Sequence, residues 1–571
     1  MEERHHKCPS PSSPSSFFPF LLPSYYLKAM RYILTLLCFL GSFQRSWAQA
    51  RGSFEKDVEH YARIIGLPSY ALGVAEGDKL VFFKSAGYAD SAGKVPITQD
   101  HIFEIASITK SLTSIALQQL EQAGRLSLND PVDKFPNRYF TKERWNAQTT
   151  LAHLVSHTSE STPPGSAFVY NGSRYNIVFN AFTAINPMDS TEEMTRPFTI
   201  QIEKGILNPL QMTHTLTRFS DREHGSLRKW IAVKYSLDAA TNQYVPRPVN
   251  PAGMQSGPGF GMMSSMRDLV RYSAAIGEGR ILPADRYRRI TTPFYPGSPQ
   301  GMGWFTYPVA GVDVHWSYGY GDNSSALLLR VPQRNLSLIL LSPANAHSAA
   351  ALLGFGNPLM SPIVASFVRN YLLNASESID FEGSPGRIEA SLGKRRAWDV
   401  VDVWVHEAFG TVMSLSYSGK TIRGNAAKSI DLLKMLIRKY PVHSLWQAAA
   451  AFEFIAESDD KAVLDFGKKM VAVFAQTGKV HPAKSFYAGL ILEKNGETEE
   501  AMGFYNALAG GDDFKEQSYK LDAMMKVAKY QITRNPAIAK AMLERLVRYK
   551  EYVTAKDRLY NDAKEMLTKL Q

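Results

Sequence analysis

Cysteine is nearly absent from this chain: of 571 residues only Cys8 and Cys38 carry a thiol, and both lie in the first fifty positions. Beyond Ala50 nothing remains for disulfides, thiolate catalysis or a cysteine-ligated metal. Long apolar runs are lacking too. Ile33 to Leu40 is eight residues long, well short of the roughly 20 needed to span a bilayer. Charge of one sign does not dominate, with 64 basic against 53 acidic residues in the whole chain, and 59 against 51 beyond Ala50. No basic run is long enough to suggest nucleic-acid recognition. The sequence also lacks G-x-S-x-G, H-E-x-x-H and G-x-x-x-x-G-K-[ST], which argues against a lipase-type hydrolase, a zincin and a nucleotide enzyme.

What is present begins with a processing signal. Arg31, the apolar run behind it and Ala48-Gln49-Ala50 have the charged, apolar and small-residue parts of a secretory leader. We expect residues 1–50 to be an N-terminal extension plus signal peptide, with Met30 as the start and cleavage after Ala50. Proline breaks residues 1–29 too often for them to extend that signal as one helix. The mature protein is then secreted or periplasmic, with no membrane association expected beyond secretion.

From residue 51 to 375, apolar segments, Gly/Pro turns and amphipathic helices alternate, which predicts an α/β (α+β) domain. Tyr70–Ala75, the turn Glu76-Gly77-Asp78 and Leu80–Phe83 read as a hairpin. "SSALLLRVPQRNLSLILLSPAN" reads as a second, turning around Pro332 to Asn335. Strands at both ends imply one sheet in which the ends of the domain meet. Helices are predicted over Leu112–Gln122 and Asp268–Ile276. A polar Gly/Ser-containing stretch makes residues 376–425 a linker, and residues 426–571 read as an all-α region. There "SFYAGLILEKNGETEEAMGFYNAL" is similar to a tetratricopeptide hairpin, with Ser485, Gly489, Leu492, Ala501, Tyr505 and Leu508 near its packing positions. A generic helical bundle explains the same pattern.

The candidate chemistry sits in "FEIASITKSLTSIALQQLEQAGRLSLNDPV", where Ser107 and Lys110 are one helical turn apart. The spacing S-x-x-K alone is weak, since it recurs at Ser53, Ser91, Ser226, Ser391 and Ser458. At Ser107 it is followed by a helical stripe ending at Gly124. A serine becomes nucleophilic when a base takes its proton, and a desolvated lysine can be that base. The helix N-terminus adds N–H groups for a developing oxyanion. A helix cap beside a surface lysine is the competing reading.

Other stretches follow in order: "LAHLVSHTSE", "PPGSAFVYNGSRYNIV", "LNPLQMTHT" and "GFGMMSSMRDLVRY". Together they resemble the serine β-lactamase and penicillin-binding-protein superfamily, in particular the class C β-lactamase-like serine hydrolases, a group that includes esterases and D-amino-acid peptidases. The resemblance implies a β-lactamase-like domain with an antiparallel sheet flanked by helices. It implies Ser107 as nucleophile, Lys110 as base and Tyr170 as the residue that shuttles a proton to the leaving group.

Two departures accompany it. The family usually has asparagine two residues after the tyrosine, where this chain has Gly172, with Asn171 adjacent. The third motif, a cationic residue, a small residue and glycine on a strand beside the nucleophile, aligns as Ser317-Tyr318-Gly319, so the cation is missing. The N–H of Tyr320 is the second oxyanion donor on this alignment, and His315, two residues before Ser317, is the candidate to replace the cation in part, with a satisfied structural histidine as the favoured competing reading. His157 reads as structural.

The expected function is therefore an exported serine hydrolase forming an acyl-enzyme on a small ester or peptide-like amide, of carboxylesterase or D-amino-acid peptidase type, with weak β-lactamase activity left open. No cofactor or metal is implied. The alternative is a catalytically degenerate binding or scaffold protein for cell-wall peptides or protein partners. The helical region is the expected site for a protein partner.

Overall fold

The computed structural model describes residues 49–570 except 138, 142, 144, 162, 188–194, 239, 395, 422–424, 479–480, 511–517 and 550–556. Most of the expected leader, residues 1–48, thus lies outside the described residues.

Six antiparallel strands form the central sheet. They are β1 (Tyr70–Glu76), β2 (Lys79–Ala86), β7 (Phe305–Val309), β8 (Val312–Gly321), β9 (Ser324–Val331) and β10 (Leu336–Ser342), in the spatial order β2-β1-β10-β9-β8-β7. β1 pairs with β10, placing Gly73 opposite Ile339. The two predicted hairpins form, and the ends of the domain share one sheet. Between them lie two small ribbons, β3 (Ile102–Ala106) with β6 (Met262–Ser265), and β4 (Lys234–Asp238) with β5 (Gln243–Arg247).

The period of two along each strand sends alternate side chains to two different cores. Ala71 and Ala75 of β1, Leu328 of β9 and Ile339 and Leu341 of β10 face helix α2 (Thr109–Gln122), whose Leu112, Ile115 and Ala116 they meet. Leu72, Val74, Trp316, Tyr318, Leu327 and Leu340 face the other side. There α1 (49–65) supplies Phe54, Val58 and Tyr61, and the helix Pro362–Phe367 supplies Ile363 and Phe367. This is a β-lactamase-like layered domain followed by an all-helical region.

The expected linker is a correction. Residues 376–425 contain the helices Pro385–Gly393 and Trp398–Thr421. The second is buried between two layers. Val403 and Leu415 pack into the sheet-side core, while Trp404, Phe409, Val412 and Met413 pack into the core of the helical region. Contacts on both sides bury residues 403–415 throughout, so this helix joins the two parts by packing rather than by a tether.

Beyond it the chain forms helical hairpins, among them Pro482–Lys494 with Thr498–Ala509. Ser485, Leu492, Ala501, Tyr505 and Leu508 are buried there. Gly489 is small because a Cβ would stand 2.4 Å from the Tyr505 ring.

Candidate active site

Ser107 follows β3 and precedes α2. The chain turns sharply between them: β3 carries a bulge between Glu104 and Ala106, and Ala106 adopts φ +40°, uncommon for a residue with a side chain. Thr109 fixes this turn, donating from Oγ1 to the Ala106 carbonyl at 2.6 Å while accepting from the Met262 N–H at 3.3 Å. The outcome is a partly exposed Ser107 hydroxyl above a buried helix.

Lys110 lies beneath it, fully enclosed. Its Nζ is 2.8 Å from Ser107 Oγ and donates to the Gly259 carbonyl at 2.7 Å. The Tyr170 and Tyr175 rings flank it at 5.2 and 5.3 Å. Burial pulls the ammonium down to about 7, because no carboxylate compensates for lost hydration. A lysine of that acidity is largely neutral in mildly alkaline solution and can accept the serine proton.

Burial has the opposite sign for Tyr170, pushing its phenol up to about 12, while hydrogen bonds from the Ser107 and Tyr318 hydroxyls restrain the rise. The two groups are thus separated in acidity: Lys110 is suited to take a proton and Tyr170 to hold one. His157 positions Tyr170. Its ring stacks on the tyrosine at 4.3 Å, its Nδ1 accepts from the Asn171 N–H at 3.1 Å, and burial keeps the imidazole neutral. The structural role expected for His157 is the one its contacts describe.

Asn171 does not replace the missing amide. It caps the short turn Gly172–Tyr175 through Oδ1 and donates from Nδ2 to Glu160. A Cβ on Gly172 would stand 3.6 Å from Lys110 Nζ, so a side chain here would meet the lysine directly. Asn176, which sequence reasoning missed, accepts from the Gly259 N–H at 2.7 Å and so fixes the loop whose carbonyl holds Lys110. Nothing local in the sequence marks it, because the loop arrives from 83 residues away.

The third motif is also corrected. Strand alternation puts Ser317 on the α2 side of β8, 4% exposed and opposite Leu328. Its neighbour Tyr318 faces Tyr170, with ring centroids 5.6 Å apart. A phenol, not Ser317, therefore lies beside Tyr170. The Tyr318 hydroxyl occupies the space where a Cβ of Gly354 would come within 2.7 Å. His315 does not replace the cation: its Nδ1 is 3.1 Å from the Tyr287 hydroxyl, and burial, aided by Arg330, pulls it down to about 4. Gly319 touches the nucleophile turn so closely that a Cβ would lie 2.3 Å from the Ile105 carbonyl. The next residue, Tyr320, has its side chain 53% exposed and lines the same cavity as Tyr170 and Tyr318.

Among the described residues, Asp402, His406 and His443 have ligand atoms close enough to share a metal. The Leu445 N–H donates to His443 Nδ1 at 3.1 Å, so the proton of the neutral ring sits on Nε2, 3.1 Å from Asp402 Oδ1. A metal would need that Nε2 bare. His406 has the opposite tautomer, its Nδ1–H donating to the Asp402 carbonyl at 2.9 Å, so the case against a metal rests on His443. This trio fits a polar contact network better than a metal site.

A serine at a strained strand-to-helix turn, with a buried lysine one turn on and a tyrosine across from both, defines the serine-reactive class of β-lactamases and penicillin-binding proteins. Comparison of sequences places the chain more narrowly. Residues 54–352 match the family described as Beta-lactamase, and the chain belongs to that family. It is 25% identical over 338 residues to Protein flp of Staphylococcus aureus (strain N315), an alignment that takes in 51% of this chain and 63% of that protein. It is 38% identical over 119 residues to the mitochondrial serine beta-lactamase-like protein LACTB of Homo sapiens, covering 20% of this chain and 21% of the human protein. Among solved structures, the octameric penicillin-binding protein homologue from Pyrococcus abyssi aligns at TM-score 0.45 with 22% identity, over 54% of this chain and 78% of that one. A D-stereospecific amidohydrolase from Streptomyces sp. aligns at TM-score 0.41 with 21% identity, over 52% and 95%.

Proposed function

We propose that the protein is a serine hydrolase that cleaves a small ester or amide through an acyl-enzyme. The observation that carries this reading is the buried Lys110 amine, drawn down to about 7 and 2.8 Å from Ser107 Oγ. Ser107 Oγ bonds to the substrate carbonyl carbon and passes its proton to Lys110. Tyr170 gives its proton to the departing oxygen or nitrogen as the carbonyl–leaving-group bond breaks, and Lys110 reprotonates Tyr170. Water then attacks the acyl carbon, and Ser107 recovers its proton. Backbone N–H groups of Ser107 and Tyr320 are assigned to the oxyanion.

Esterase or D-amino-acid peptidase activity fits better than dedicated β-lactamase activity. An antibiotic carboxylate calls for a cation, and the neighbour of Tyr170 on β8 is the neutral Tyr318. Export through the N-terminal leader belongs to the same proposal, as does a role for the helical region in meeting a protein partner. The absence of an amide at Gly172 favours a second reading, a degenerate member of the family that binds without turnover.

The deciding experiment exposes the protein and its Ser107→Ala variant to a fluorophosphonate and an activated ester. Intact mass and ester turnover are then read. An adduct on Ser107 and turnover lost in the variant are expected; a folded protein with neither supports the degenerate reading.

A further inference from the structure

A cavity of about 900 Å3 beside the site is lined from two parts of the chain. One wall is the catalytic domain, with Tyr170, Tyr318 and Tyr320. The other is the helical region, with Ala448, Tyr487 and Tyr519. The walls are close enough for Tyr519 to act electrostatically on Tyr318.

Resting on the hydrolase reading above, we propose that the helical region completes the substrate cavity, and that Tyr487 and Tyr519 select substrates whose leaving alcohol or amine carries a flat aromatic ring.

The side of the substrate follows from Tyr170. It protonates the leaving group and lines the cavity, so the leaving group is the part that enters. The chemistry follows from the far wall. Tyr487 and Tyr519 meet edge to face, with centroids 5.8 Å apart and planes at 71°, and Phe486 backs Tyr519 at 5.9 Å. A planar ring can stack on one tyrosine while meeting the edge of the other, an arrangement favoured by their quadrupoles.

The polar groups around the cavity are engaged within the protein. The Lys484 ammonium lies over the Phe474 ring at 4.7 Å and reaches the Gln447 carbonyl. Glu453 takes the Tyr487 hydroxyl, and Asp522 acts on Tyr519. Burial pulls His481 down to about 4 and also lowers His406, leaving both neutral. The volume suits a compact molecule rather than a polymer strand.

The test compares benzyl, cyclohexylmethyl and ethyl acetate, with acid release followed by pH-stat. The full chain should favour benzyl acetate over both others in kcat/KM by about tenfold or more, the scale of one or two aromatic contacts. Replacing Tyr487 and Tyr519 together by leucine should remove most of that preference. Ala448→Trp, which fills the cavity from the same wall, is a second variant in case the leucines unfold the hairpins. Binding of 2-naphthylmethanol to full-length Ser107→Ala protein reads the subsite without chemistry. It should weaken at least fivefold when either wall change is added. Equal kcat/KM for benzyl and cyclohexylmethyl acetate, or unchanged naphthylmethanol binding in the wall variants, overturns the proposal. No turnover of any ester, with binding that depends on the tyrosines, rejects the hydrolase reading and keeps the aromatic subsite.

Discussion

The separation of acidity between Lys110 and Tyr170 fixes how the site should respond to pH. The lysine must be neutral to take the serine proton, so kcat/KM for an ester should rise tenfold per pH unit up to about 7 and level off above. A pH profile with its acid limb below 5 would remove Lys110 from that role. The same burial has a stability consequence of definite sign. In the unfolded chain Lys110 keeps its proton up to its ordinary pKa, whereas the folded protein releases it near 7. Between these values the unfolded state binds more protons and stability rises with pH. Lys110→Met should therefore abolish turnover yet raise the melting temperature at pH 6, with the gain shrinking towards pH 10. Tyr318 gives a second residue-scale prediction. Its hydroxyl supports the Tyr170 oxygen, so Tyr318→Phe should lower kcat about 10- to 100-fold with KM within threefold, an amount consistent with losing one hydrogen bond to a proton-transfer group. A change in KM alone would make Tyr318 a cavity wall and nothing more.

At the scale of elements, the turn Gly172–Tyr175 decides how Lys110 is held. Gly172 has space for a side chain, with Lys110 Nζ 3.6 Å from the Cβ position. Gly172→Asn should fold normally, place an amide against the lysine and raise the rate of Ser107 acylation severalfold, measured by stopped-flow with an activated ester. A slower rate with unchanged stability would show that the glycine is an adaptation of this site. The elements carrying Ser107, Lys110 and Tyr170 were legible in the sequence because each lies in a local pattern: an amphipathic helix behind S-x-x-K, and a tyrosine before a capped turn. The register of β8 was not legible. A one-residue displacement exchanges the two faces of a strand, so only contacts distinguish Tyr318 from Ser317 beside Tyr170. Trp398–Thr421 was lost for another reason. The Gly/Ser-containing stretch before it resembles a linker, and its polar stripe of Glu407, Thr411, Ser414 and Ser418 is buried inside the protein rather than turned to solvent. Asn176 and Gly259 meet across 83 residues, a pairing no local pattern encodes.

Across the whole molecule, one buried ion cluster ties the parts together. Arg369 is fully enclosed and bonds Asp57 of α1 at 2.5 Å and both oxygens of Glu407 at 2.9 and 3.0 Å. Glu407 belongs to Trp398–Thr421 and also accepts from the Tyr61 hydroxyl at 2.6 Å. Removing one partner from such a cluster leaves charges without compensation, typically costing about 3–5 kcal/mol. Arg369→Met should accordingly lower the urea midpoint sharply, and adding Asp57→Asn with Glu407→Gln should restore much of it, since no charge is then stranded. The cluster also predicts where the chain can be divided. Ending it at residue 375 keeps every strand of the sheet but removes Glu407 from Arg369 and uncovers the surface that Val403 and Leu415 occupy. That fragment should aggregate or lack a cooperative unfolding transition. Ending the chain at residue 421 keeps the sheet side covered but exposes Trp404, Phe409 and Met413, which pack into the helical core. It should stay folded over the sheet and self-associate through that face, seen as a concentration-dependent mass by light scattering. A monomeric, cooperatively unfolding fragment ending at residue 375 would show that the catalytic layer stands alone and that Trp398–Thr421 only rests upon it.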